Sequence, residues 1–366
     1  TTGFSKGVML PYRALWSNID FAKGVLGKTI KKGDNTISIL PMAHMYGMSF
    51  EFLFEFLHGC HVFYLTRVPS PAIIAQAFKD VKPAIVIAVP LVIEKIIRKK
   101  VFPQIQNTKV KLLMKMPGVG KKVKKRICEQ VYQAFGGNLY EVIIGGAALN
   151  QEIESFLKDI DFPFTVGYGA TECAPIITYS DWHDFVPMSC GREVVHMEVK
   201  IDSENPETVP GEILARGLNV MLGYYKNDEA TAQTIDKDGW YHTGDLGLMD
   251  KGGNVFIKGR SKNMLLGPNG QNIYPEEIED KLNSMTFAME SVVVQRDGKL
   301  VGLVHPDFDE VQAMGLSRDD LQSLMEENRV QVNANLPVYC KIAAIEIHDE
   351  EFEKTPKKSI KRYLYK

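Results

Sequence analysis

Four short apolar runs constrain the fold of this chain more than anything else in it: TISIL (36–40), AIVIAVP (84–90), YEVIIGG (140–146) and FTVGYG (164–169). Each is too short for a buried helix. Such runs read as strands covered on both sides. SPAIIAQAFKDV (70–81) and QEIESFLKDI (151–160) carry helical spacing between them. Strands and helices in alternation predict an α/β fold with largely parallel sheets.

The texture changes after about Val195. HMEVKI, GEILARG and GNVFIKG are short strands separated by Gly, Pro and Asp turns, which predicts an antiparallel, barrel-like piece. From about Arg260 a smaller α+β unit follows. EEIEDKLNS and DDLQSLMEENRVQVNANL have helical patterns, and SVVVQRDGKLVGLVHP reads as a hairpin turning at Asp297-Gly298. The expected division is a large domain over residues 1–259 and a small one over 260–366.

Charge and cysteine usage narrow the function. A formal net charge of −2 over 366 residues does not favour nucleic acid as a partner. Five cysteines without a C-x-x-C pair argue against a zinc site or a disulfide framework, and fit a reducing cytoplasm. No apolar run reaches membrane-spanning length. Residues 98–126 are crowded with Lys and Arg. The plain reading is a solvated helical hairpin; the sharper one is a peripheral contact with anionic lipid at the inner membrane face, or with an anionic cofactor. PGVGKKV within this segment is no Walker loop, because Lys121 is followed by Lys122 where Ser or Thr is needed.

The first residues, TTGFSKG, admit two readings. Gly3-x-Ser5-x-Gly7 fits a nucleophile elbow, but that motif needs a helix running directly from the serine, and Pro11 would interrupt it. The hydroxyls, glycine and Lys6 suit a loop that wraps phosphates better. Six further segments follow in order: PMAHMYG (41–47), GGAAL (145–149), GYGATE (167–172), GWYHTGDLG (239–247), IKGRSKNMLLGPNGQNIYPEEIE (257–279) and KTPKKSIKR (354–362). Taken together, the series resembles the adenylate-forming superfamily of acyl-CoA synthetases, luciferases and peptide-synthetase adenylation domains. The resemblance extends over essentially the whole chain and is strongest to bacterial long-chain fatty-acid–CoA ligases. The opening looks like the second half of that family's phosphate loop, so the chain reads as a C-terminal fragment that is inactive by itself.

The resemblance implies a reaction and a set of roles. A fatty-acid carboxylate would attack the α-phosphorus of ATP, giving acyl-AMP and pyrophosphate, and coenzyme A would then displace AMP. Thr1, Thr2, Gly3 and Lys6 would serve the β- and γ-phosphates. Glu172 would hold Mg²⁺, and Thr171 would bond the α-phosphate. Tyr168, with Gly169, would stack on adenine in a pocket lined by Gly145, Gly146 and Ala147. Asp245 and Arg260 would take the ribose hydroxyls. His44 falls beside the carboxylate pocket, although a packed core histidine fits it equally. Lys262 marks the hinge on which the small domain is mobile, and Gly267 would admit the pantetheine arm. The family's adenylating lysine aligns with Ser359, a departure; Lys358 is the expected substitute, with Lys357 and Lys361 the other candidates. A ligase for aryl or medium-chain acids and a nucleotide-binding remnant without turnover are the alternatives.

Overall fold

A computed structural model describes residues 6–65, 71–105, 112–114, 116, 118–267, 270–354 and 360–365. Thr1, Thr2, Gly3 and Lys358 lie outside them. The chain falls into two compact units. The first takes in Thr1–Leu149, Ile153–Thr243 and Leu248–Phe256; the second takes in Asn150–Glu152, Gly244–Gly247 and Ile257–Lys366.

In the first unit, three of the four apolar runs build one parallel sheet. Glu141–Ile144 lies between Ile85–Ala88 and Phe164–Val166. Every residue of these strands is buried, so the sheet is covered on both faces. Ile85, Ile87 and Ile144 are among the most deeply buried side chains; enclosing each contributes roughly 1.5–3 kcal/mol. Asn35–Ser38 pairs in parallel with His61–Tyr64, a strand whose exposed, mixed residues give little sequence signal. FTVGYG divides at Gly167. Tyr168–Gly169 leaves the parallel sheet and joins an antiparallel one with Ile176–Tyr179 and Arg192–Glu193.

Helices at Pro71–Val81 and Gln151–Asp159 follow the spacing read from the sequence. Pro11 stands just ahead of the helix Tyr12–Leu26, in extended backbone where proline costs nothing, and residues 6–11 hold no helix. The basic helix Val119–Ala134 buries Gly120, Ile127 and Val131 while Lys121, Lys122, Lys125 and Arg126 stay exposed. The barrel-like portion is an open four-stranded sheet, ordered Met197–Asp202, Gly211–Gly217, Tyr241–Met249 and Val255–Arg260, with the first pair antiparallel.

The second unit is built on a three-stranded sheet. Ala288–Arg296 and Lys299–Pro306 form the hairpin, with Asp297 and Gly298 both at positive φ as a two-residue turn requires. Ile342–Ile347 adds in parallel at the other side of Lys299–Pro306. Helices Pro275–Asn283 and Arg318–Ala334 pack Ile278, Leu282, Leu321 and Met325 with Val293 and Ile345 of the sheet. Ser317 and Asp320 close a reciprocal capping box that starts the longer helix.

Candidate functional site

In the first unit the site grows from the carboxyl ends of the parallel strands, the edge where open α/β sheets bind ligands. The Gly145 amide donates to Ala88 O at 3.0 Å, and the Gly167 amide donates to Ile144 O at 2.9 Å. These bonds bring the GGAAL and GYGATE loops to neighbouring strand ends. Gly145 is buried against Tyr46; a Cβ there would stand 3.1 Å from the ring. Gly146 and Ala147 are exposed, with Gly146 at φ +87. The Tyr46 hydroxyl donates to Ile143 O at 3.0 Å, which ties PMAHMYG to the same strand end. His44 lies half-buried in that segment.

Tyr168 is buried in its short strand. A Cβ on Gly169 would come within 2.2 Å of Pro175 O, so only glycine lets the two strands close. Thr171 and Glu172 open a 3₁₀ turn, Thr171–Cys173, and both are half-buried. The Tyr224 hydroxyl donates to Glu172 Oε1 at 2.9 Å. Val8 pairs with Tyr224 across a two-stranded antiparallel ribbon, and Lys6 Nζ sits 4.6 Å from the Tyr224 ring centroid. Burial and the Glu172 charge hold the Tyr224 phenol well above its ordinary pKa, so it remains a donor. Lys6, Tyr224 and Glu172 thus form one constellation of cation, aromatic donor and carboxylate. Sequence reasoning found its two ends and missed Tyr224, because the ribbon that presents it joins residues far apart in the chain.

A lone carboxylate suits Mg²⁺ that takes the rest of its shell from phosphates and water. No cluster of three or more His, Cys, Asp or Glu side chains among the described residues would hold a metal by itself.

In the second unit, Asp245 is 6% exposed, and the Arg260 Nε donates to its Oδ1 at 2.7 Å. The Arg260 side chain is 57% exposed, leaving a charged face beside a sequestered carboxylate. Lys262 is exposed in the 3₁₀ turn Ser261–Asn263 that follows directly. Gly267 is buried in a hairpin turn, its amide donating to Gln271 O at 2.8 Å. The C-terminal segment is pinned at its base. Lys354 bridges to Ile360, Lys361 Nζ pairs with Glu353 at 3.0 Å, and the half-buried Arg362 guanidinium grips Glu279. Lys361 is therefore already engaged, which weakens it as a replacement for the cation missing at Ser359. Lys357, Lys358 and Ser359 are outside the described residues.

Comparison with known proteins gives a consistent result. The family model described as AMP-binding enzyme matches residues 1–225. The long-chain-fatty-acid–CoA ligase ACSBG2 of Rattus norvegicus is 28% identical over 82% of this chain and 48% of its own length. The long-chain-fatty-acid–CoA ligase of Escherichia coli O6:H1 is 29% identical over 86% of this chain and 48% of its own length. The chain thus spans about half the length of the curated relatives it matches. Among solved structures, the ATP-bound RpMatB-BxBclM chimera B1 superposes with a TM-score of 0.75 at 22% identity, over 100% of this chain and 65% of the other. O-succinylbenzoate coenzyme A synthetase (MenE) of Bacillus subtilis, in complex with ATP and magnesium ion, gives 0.74 at 20% identity, over 99% and 67%. At these identities the structural likeness speaks for the fold alone.

Proposed function

We propose, for a chain that belongs to the AMP-binding enzyme family, that the complete protein is an AMP-forming fatty-acid–CoA ligase acting on long-chain acids. The Lys6–Tyr224–Glu172 constellation carries this reading, set as it is in the unit whose parallel strand ends bear the two glycine loops. A carboxylate is a poor acyl donor because its leaving group is oxide. Attack of its oxygen on the α-phosphorus of ATP breaks the bond to the bridging oxygen and releases pyrophosphate. The thiol sulfur of CoA then bonds the acyl carbon as AMP leaves. Charge gathers on phosphate in the first step, and preorganised cations lower that barrier. Lys6 supplies one such charge. Glu172, steadied by the Tyr224 hydroxyl, would hold Mg²⁺, which supplies a second. Asp245 and Arg260 offer an acceptor and a donor to the ribose hydroxyls.

Residues 1–259 would act as the large domain and 260–366 as the mobile one, turning about Lys262 between half-reactions. Leu112, Leu113, Met116 and Val119 are exposed next in sequence to the basic face of Val119–Ala134, which supports a peripheral contact with anionic lipid. No helix among the described residues is long and apolar enough to cross a membrane.

One observation favours a second reading, nucleotide binding without turnover: Ser359 replaces the expected lysine, and the nearby Lys361 is paired with Glu353. Product analysis on protein expressed from the complete reading frame separates the two. Given ATP, Mg²⁺, CoA and a panel of acids, a ligase forms long-chain acyl-CoA and AMP. Nucleotide retention with no acyl-CoA from any acid would overturn the ligase assignment.

A further inference from the structure

Gly47–Phe54 forms a π-helix that runs into the short helix Glu55–His58. The wide turn puts Gly47, Glu51 and Glu55 on one face, directed at the Asn35–Ser38 strand. Two carboxylates are buried there with no cation paired to them among the described residues. Glu51 is 1% exposed and Glu55 equally so. Their partners differ. Among the described residues, Glu55 Oε2 accepts from the strand's own side chain, Thr36 Oγ1, at 2.6 Å. Glu51 accepts from the backbone beyond the strand. Its Oε1 takes the Ile39 amide at 3.1 Å, and its Oε2 takes the Leu40 amide at 3.0 Å and the Ser38 hydroxyl at 3.1 Å.

Those two amides are where the chain leaves the strand and enters Pro41–Gly47. The far end of that segment is fixed as well. Tyr46 bonds Ile143 O, and Gly47 is packed so closely on Pro41 that a Cβ would sit 2.9 Å from its carbonyl oxygen. His44 lies between the two anchors, with its amide donating to Pro41 O at 2.9 Å. Burying an uncompensated carboxylate is costly, and apolar packing alone would not require it. A carboxylate is the one side chain that can accept two successive backbone N–H groups with its two oxygens at once.

We infer that Glu51 is a positioning residue for acid binding: its two-oxygen grip on the Ile39 and Leu40 amides sets the path of Pro41–Gly47, and through it the placement of His44 and Tyr46. The inference rests on the ligase reading, in which this segment borders the acid. Gln at position 51 preserves volume but replaces one acceptor with a donor, so one of the two amides loses its partner. Gln at position 55 makes the same chemical change one helical turn away, against a side chain outside that path.

The test compares the wild-type protein with Glu51→Gln and Glu55→Gln, all expressed from the complete reading frame. Steady-state kinetics are measured against palmitate and, separately, against ATP. Glu51→Gln should raise KM for palmitate at least tenfold while KM for ATP stays within about twofold; Glu55→Gln should leave both within about twofold. Equal changes from the two variants, or a rise in KM for ATP matching that for palmitate, would overturn the positioning role and leave Glu51 a structural acid. If Glu51→Gln fails to fold, Ser38→Ala removes one donor to the same carboxylate. It should raise KM for palmitate about threefold without moving KM for ATP, and no change there would also overturn the role. A wild-type protein that forms no acyl-CoA speaks against the ligase reading instead.

Discussion

Glu141 should make the first unit lose stability as pH rises, and a single amide substitution should abolish its share of that loss. The side chain is fully buried at the start of the central parallel strand. Its Oε1 accepts the Tyr179 hydroxyl at 2.5 Å. Burial pushes the carboxyl from 4.5 up to about 8; the charge of Asp181 adds to this, and the Tyr179 hydrogen bond opposes it. A raised acid binds its proton in the folded state over a pH range where the unfolded chain has released it. The stabilisation is complete below 4.5 and is lost as pH climbs toward about 8. The slope is about 1.4 kcal/mol per pH unit, and the whole window amounts to about 5 kcal/mol.

Glu141→Gln keeps an acceptor for Tyr179 and cannot ionise. Urea unfolding followed by tryptophan fluorescence isolates the relevant unit, because all three tryptophans, Trp16, Trp182 and Trp240, belong to it. From about pH 5.5 to 7.5 the wild type should lose about 3 kcal/mol relative to the variant. Parallel stability curves for the two proteins would refute the reasoning, since they would mean that Glu141 titrates alike in both states.

Tyr224→Phe removes the donor to Glu172, and the Mg²⁺ concentration for half-maximal pyrophosphate exchange should rise roughly tenfold, the scale typical of losing an outer partner to a metal ligand. Lys262→Pro fixes φ at the proposed hinge; acyl-AMP formation should persist while thioester formation collapses, and equal loss of both would place Lys262 in nucleotide binding. Lys358→Ala should cut acyl-AMP formation by orders of magnitude and spare thioester formation from added acyl-AMP. Lys361→Ala, whose ammonium is held by Glu353, should change it less than about threefold, the scale of an exposed pair.

Much of this architecture can be read from the chain because burial on both faces leaves a local mark. Ile85–Ala88 and Glu141–Ile144 stand out by composition alone, and Asp297-Gly298 marks its hairpin by backbone necessity. Where the signal depends on distant partners, it fails. SFEFLFEF (49–56) alternates acid and apolar residues like a half-wet strand, yet it is helical and buries both glutamates. The acceptors are satisfied by Thr36, Ser38, Ile39 and Leu40, which no local pattern announces. Ile342–Ile347 escaped notice for a related reason, since its parallel pairing with Lys299–Pro306 depends on a long crossover. The site divides in the same way. Glu172 and Lys6 follow from their motifs, whereas the phenol between them needs the ribbon Val8–Tyr224 to bring it there.

The π-helix Gly47–Phe54 also limits how this protein could be re-engineered. Ser49 Oγ donates to Ala174 O at 2.7 Å, at the end of the turn that presents Glu172, while Glu51 on the same helix holds Ile39 and Leu40. The wall assigned to the acid and the turn assigned to the metal therefore share one support. A loop graft confined to residues 41–47 would import a foreign segment onto anchors shaped for the native one. The exchangeable module is the whole stretch from Thr36 to Glu55, which keeps Thr36 and Ser38 with the glutamates they bond. Within it, an insertion between Gly47 and Glu51 would break the register that lets Ser49 hold Ala174 O while Glu51 holds both amides, disturbing the segment proposed for the acid and the turn proposed for the metal together.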